Sequence, residues 1–79
     1  MMNIETLKKM NFEEGSEYLK ENGFWQSDAA VDESAKVADV YFTNEDDEMI
    51  SFVTIYSRFE TTEDGSPDFD IKETYWEEL

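Results

Sequence analysis

Twenty-one aspartates and glutamates against six lysines and arginines give this 79-residue chain a formal net charge of −15 at pH 7, so any fold it adopts must hold together against its own field. Like-charge repulsion destabilises a compact state. A domain below about 80 residues without disulfides or metal seldom has more than about 3 to 5 kcal/mol of stability from which to absorb that repulsion. The fold is therefore expected to be marginal and to gain from salt, a partner or a second copy. Aromatic side chains oppose the repulsion. Six Phe, four Tyr and two Trp make up 15% of the residues, and each buried ring removes on the order of 150 to 250 Å² from water. A disordered acidic tail seldom carries so many, so the chain reads as folded despite a mean hydropathy of −0.71.

Cysteine and histidine are absent, which excludes thiol chemistry, structural disulfides, zinc sites and every Cys/His or Ser/His nucleophilic arrangement. There is no phosphate-cradling glycine loop and no G-x-S-x-G elbow. Acid–base catalysis would fall to carboxylates alone, in a cleft that so short a chain can hardly enclose. The chain reads as a non-enzyme without a cofactor. Its field repels nucleic acid and anionic lipid, and attracts basic protein surfaces. The first ten residues carry Glu5, Lys8 and Lys9 with no apolar run. The most apolar stretch, Met49 to Phe59, is short and broken by Ser and Thr. Neither suits a signal or a membrane span, so the expected location is the cytoplasm, the host's if the chain is phage-encoded.

Charge is uneven along the chain. Residues 1 to 36 hold 8 acids and 4 bases, whereas residues 37 to 79 hold 13 acids and 2 bases. The expected organisation is a single α+β domain over 1–79, with 1–36 mainly helical and 37–79 a three-stranded antiparallel meander carrying the acidic surface. Asn3 is placed to cap a helix over Ile4 to Met10, and Asn11 with Glu14 forms a capping-box pattern opening a second. Phe12, Tyr18 and Leu19 are its candidate buried residues. Asn22-Gly23 should end it, with Phe24 packing back. Residues 26 to 36 read as either a short helix or a loop. Val37 to Thr43, Met49 to Glu60 and Phe69 to Trp76 have strand composition and are separated by turn chemistry at Asn44 to Asp47 and Thr62 to Pro67. In the middle segment Ile50, Phe52 and Tyr56 share one face and Met49, Val53, Ile55 and Phe59 mostly the other. Ile55 shows the alternation slipping, which reads as either a bulge or a strand covered on both sides. In the last segment Phe69, Ile71 and Tyr75 share a face, leaving Asp70, Lys72, Thr74 and Trp76 on the opposite one.

The candidate partner-binding residues are acids. Glu45, Asp46, Asp47 and Glu48 form the densest run, read both as a solvated turn and as a negative knob for a basic groove. Asp64, Asp68, Asp70 and Glu73 resemble a calcium loop only loosely, because Gly65 comes early and Pro67 interrupts; an ordinary hairpin turn is the stronger reading. Asp68, Asp70, Glu73, Glu77 and Glu78 otherwise extend negative charge along the last strand and past its end. Charged edge strands also block aggregation, but solubility is served by a net charge of about 2 to 8 in magnitude, well below the value here. Trp25 and Trp76 flank the sheet with few large apolar neighbours; core packing is the default reading for each, and partial exposure of one as an interface anchor is the alternative. Trp76 is the one grouped with the partner-binding acids.

A compact, cysteine-free, strongly acidic chain of this length, with helices followed by a short antiparallel sheet, resembles the small phage and mobile-element inhibitors that mimic DNA: anti-restriction proteins, uracil-DNA glycosylase inhibitor and anti-CRISPR proteins. The resemblance is one of class and carries over no individual residues. It implies a stoichiometric inhibitor that occupies the basic nucleic-acid-binding surface of a nucleic-acid-processing protein or complex, without binding nucleic acid itself. An immunity protein or antitoxin neutralising a basic nuclease toxin fits the same electrostatics, and a non-inhibitory acidic adaptor is the third reading. A monomer or a homodimer is expected, with Val37 to Thr43 or Phe69 to Trp76 as the edges through which a second copy could pair.

Overall fold

A computed structural model describes residues 2–79; Met1 and the side chains at positions 59, 67 and 69 lie outside the described residues, and with them the faces expected for Phe59 and Phe69. Two helices, α1 (Ile4–Leu7) and α2 (Phe12–Glu21), precede four strands, β1 (Trp25–Asp32), β2 (Val37–Thr43), β3 (Met49–Thr61) and β4 (Pro67–Glu78). The strands form one antiparallel sheet in the order β1-β2-β3-β4. The fold is α+β, with a sheet of four strands where three were expected.

The helix ends follow their capping chemistry. The Asn3 side chain accepts from the amides of Glu5 and Thr6, and α1 stops at Leu7, short of Met10. At α2 the Asn11 side chain accepts from the Glu14 amide at 2.8 Å while the Glu14 carboxylate accepts from the Asn11 amide. The helix closes at Gly23, whose φ of 84° lets the Phe24 amide reach back to the Leu19 carbonyl at 2.9 Å. Phe24 is thereby buried. The Tyr18 hydroxyl accepts from the Asn3 amide and ties the two helices together.

Residues 26 to 36 correct the expectation that 1–36 is mainly helical. Helix ends at Glu21, and Trp25 to Asp32 is an edge strand hydrogen-bonded to β2. A register shift between Gln26 and Asp28 breaks the two-residue alternation there, and Ala29 and Ala30 give it little contrast. The pairing of β1 moves Val37 to Thr43 into the sheet interior, so the free edges are β1 and β4.

Both helices lie on one face of the sheet. Leu7, Leu19 and Phe24 bury against Phe42, Ile50, Phe52 and Trp76. Trp76 is only 2% exposed, and its indole N–H donates to the Met10 carbonyl at 3.1 Å. The core reading therefore holds for Trp76, and its grouping with the partner-binding acids does not. In β4 the register skips a residue between Glu73 and Ile71, as it does in β3 around Tyr56. Alternation counted straight through that irregularity puts Trp76 with Asp70 and pairs Ile71 with Tyr75, whereas Trp76 stands opposite Phe52 and Tyr75 opposite Val53. The slip expected near Ile55 is the same irregularity seen from β3.

Phe12 stacks parallel to the Trp76 indole, with centroids 6.2 Å apart and planes 2° from parallel, and meets Phe52 at 5.0 Å. Gly15 lies beneath the same indole. A Cβ at Gly15 would fall 2.2 Å from Trp76 Cζ2, inside any real contact distance. In an exposed helix Gly→Ala gains up to about 1 kcal/mol of helix propensity, but overpacking a closed core costs about 1 to 3 kcal/mol. Gly15→Ala is therefore expected to lower the urea midpoint of unfolding. A raised midpoint would contradict this packing.

Candidate interaction surface on the open sheet face

Strand register defines what faces away from the helices. Three rows run from β1 to β4 across that open face: Asp28–Tyr41–Ser51–Glu77, Ala30–Asp39–Val53–Tyr75 and Asp32–Val37–Ile55–Glu73. None contains a lysine or an arginine. Asp28 and Asp32 line the β1 margin, and Glu73 and Glu77 line the β4 margin. Three strand spacings separate the margins, about 14 Å, and within each margin the two acids are four residues, about 13 Å, apart. Tyrosines and aliphatics fill the space between. Ser51 and Val53 are buried, Tyr41 is half-buried and Tyr75 is 41% exposed.

Asp39 sits in the middle of this floor. Its carboxylate accepts from the Tyr41 hydroxyl at 3.3 Å and from the Ser51 hydroxyl at 3.4 Å. Partial burial, then the charge of Asp39 and its hydrogen bond, then the charges of Asp28 and Glu77, hold the Tyr41 phenol above its ordinary pKa of 10.0. Three carboxylates on three strands thus act on one hydroxyl. At the β1 end, the amide of Ala35 and the hydroxyl and amide of Ser34 keep Asp32 below the usual carboxylate value.

The other expected site residues are split between the two ends of the sheet. Glu45, Asp46, Asp47 and Glu48 form the exposed β2–β3 turn, organised by Asn44: its side-chain oxygen accepts from the amides of Asp46 and Glu48, and its amide group donates to the Glu48 carboxylate at 2.8 Å. Asp47 takes a positive φ of 60° there. Asp46 and Glu48 border the same surface recess as Glu78. The β3–β4 turn lies at the far end of β3, whose 13 residues span about 40 Å. Asp64 folds back onto its own turn, accepting from the Thr62 hydroxyl and, at 3.1 Å, from the Ser66 amide, which together lower its pKa. Asp68 and Asp70 are engaged by Arg58, whose guanidinium also meets Glu60 at 2.8 Å. Among the described residues no three carboxylates gather to hold a metal ion.

The eleven expected residues therefore do not make one patch. Glu73 and Glu77 belong to the open face, and Trp76 belongs to the core. Asp28, Asp32, Asp39 and Tyr41 are the residues that sequence reasoning missed. A lone acid within the apolar run Val37 to Thr43 was the available signal for Asp39. Arg58 was also legible, because a hairpin centred on Asp64 sets it opposite Asp70. Of the two tryptophans, Trp25 is the exposed one, at 50%, beside Glu17 and Lys20 of α2.

No helix among the described residues is long and apolar enough to cross a membrane. No protein-family model matches the chain, and comparison with curated proteins and with solved structures gave no match.

A raised folded-state pKa on an acid means that unfolded tyrosine ionises first, so Tyr41 takes stability away only as pH rises past about 10. Asp39→Asn is expected to bring the Tyr41 midpoint down toward its ordinary value, followed by ring carbon NMR. A midpoint that does not move would remove Asp39 from this cluster.

Proposed function

We propose that the protein is a stoichiometric inhibitor that binds a basic nucleic-acid-binding surface of a nucleic-acid-processing protein or complex and excludes its nucleic acid, by mimicry of the anti-restriction or anti-CRISPR kind. One observation carries the reading: an open sheet face with two acidic margins about 14 Å apart and no base in the rows between them. Phosphate rows flank a DNA major groove about 12 Å wide, so the two spacings are alike. Carboxylates in that arrangement would engage the same Lys and Arg side chains as phosphates do.

The rest of the charge supports the same direction. The Glu45 to Glu48 turn lies outside the open face and would act as rim charge, which chiefly raises the association rate. Asp68 and Asp70 are partly neutralised by Arg58 and contribute least. The protein acts without catalysis or cofactor in this reading, in the cytoplasm where its target works.

The test is capture of a lysate protein by the tagged chain at moderate salt, followed by challenge with duplex DNA. The expected result is retention of a nucleic-acid-processing protein that DNA displaces, with Glu73→Lys/Glu77→Lys weakening capture by about tenfold or more, at least 1.4 kcal/mol. Reversing Asp46, Asp47 and Glu48 together should slow association and leave dissociation nearly unchanged. Retention that DNA cannot displace would overturn mimicry in favour of an immunity-type inhibitor. Absence of any specific retention would overturn inhibition altogether.

A further inference from the structure

We infer that the open face receives a basic amphipathic α-helix of the target, laid along the strands between the two acidic margins; the inference rests on the reading above and specifies the element it binds. Width is the first argument. An α-helix with its side chains is about 10 to 12 Å across, and the margins stand about 14 Å apart. The nature of the floor is the second. Tyr41, Ile55 and Tyr75, over the buried Val53, offer an aromatic and aliphatic strip, which matches the apolar stripe of an amphipathic helix better than it matches a fully hydrated loop.

Charge complementarity fixes the rest. Asp28 on one side, with Asp32 beyond it already accepting from Ser34 and Ala35 of its own turn, and Glu73 and Glu77 on the other, call for Lys or Arg along both flanks of the helix. Their spacing of about 13 Å corresponds to roughly eight or nine helical residues, so the bases would recur about every two turns. Asp39, in the floor, offers a carboxylate already held by two hydroxyls to a base on the underside. A second copy of this chain is a poor occupant, since each carries −15 and would bring acid onto acid. A helix that lies in a DNA major groove with bases on both flanks is the kind of element that meets all these conditions.

The test uses a synthetic Leu/Lys peptide of about 18 residues, with leucines on one helical face and lysines on both flanks, and an isomer of identical composition shuffled to abolish the stripe. Binding to the full chain is measured by calorimetry and located by amide and tyrosine-ring NMR. The amphipathic peptide is expected to bind about tenfold more tightly than its isomer, with shifts concentrated at Asp28, Tyr41, Val53, Tyr75 and Glu77. Glu73→Gln/Glu77→Gln, a mild change on exposed side chains, should remove most of that difference, and Asp46→Asn/Asp47→Asn should not. Equal binding of the two peptides, or shifts centred on the helix side or on the 45–48 turn, would overturn the inference. Either result leaves the proposed inhibition standing on its own DNA-displacement test. Failure of that test alongside selective peptide binding would overturn the inhibitor reading and retain the helix site.

Discussion

The contact between the Trp76 indole and the bare backbone of Gly15 is the constraint on which the rest depends. It lets α2 approach the sheet closely enough for Phe12 to stack on the same ring and for Leu19 to join Phe42, Ile50 and Phe52 in one core. The indole N–H, taken out of water, finds the Met10 carbonyl in the connection between the helices, so a polar group that would be costly to bury unpaired is instead used to hold both helices to β4. All the helical material is thereby committed to one side. Phe12, Phe24, Phe42, Phe52 and Trp76 fill that one layer, and among the described residues no element covers the opposite face of the sheet.

An antiparallel sheet tolerates one face toward water if that face is polar, and here the polarity is nearly all of one sign. The positive charges lie outside those three rows. Lys8, Lys9 and Lys20 belong to the helical segment, Lys36 donates to the Ser57 carbonyl, Arg58 is shared among Glu60, Asp68 and Asp70, and Lys72 is the β4 residue that the register skips, next to Glu73. Their placement relieves repulsion in the helices and along the long β3–β4 hairpin, where acids are densest. It leaves Asp28, Asp32, Asp39, Glu73 and Glu77 without a cation in their rows. The same distribution that spares the fold thus concentrates uncompensated charge on one surface, which binds the question of stability to the question of partner.

Local chemistry was readable in the sequence where it acts over a few residues. The caps at Asn3 and Asn11, the Gly23 terminus with Phe24 folded back, the two acidic turns and the bulge near Ile55 all follow from neighbours within one turn of chain. What depended on strand pairing was not readable. The segment Gln26 to Asp32 has small side chains and a register shift, so its alternation is faint, and it is a strand because β2 offers it hydrogen bonds. Straight alternation groups Trp76 with Asp70, but the residue skipped between Glu73 and Ile71 sets the two on opposite faces. The acidic cluster around Tyr41 draws on three strands, one of them β1, and so could not be assembled from positions along the chain.

The central claim is that the target docks on the open face and leaves the helix side untouched. The most direct measurement is NMR of the chain as the captured, DNA-displaceable target is added, comparing the ring signals of Tyr41 and Tyr75 with the indole N–H of Trp76. Perturbation of both tyrosines with an unmoved Trp76 indole is the predicted result. Unmoved tyrosines with a shifted Trp76 indole would place binding on the helical layer and contradict the account.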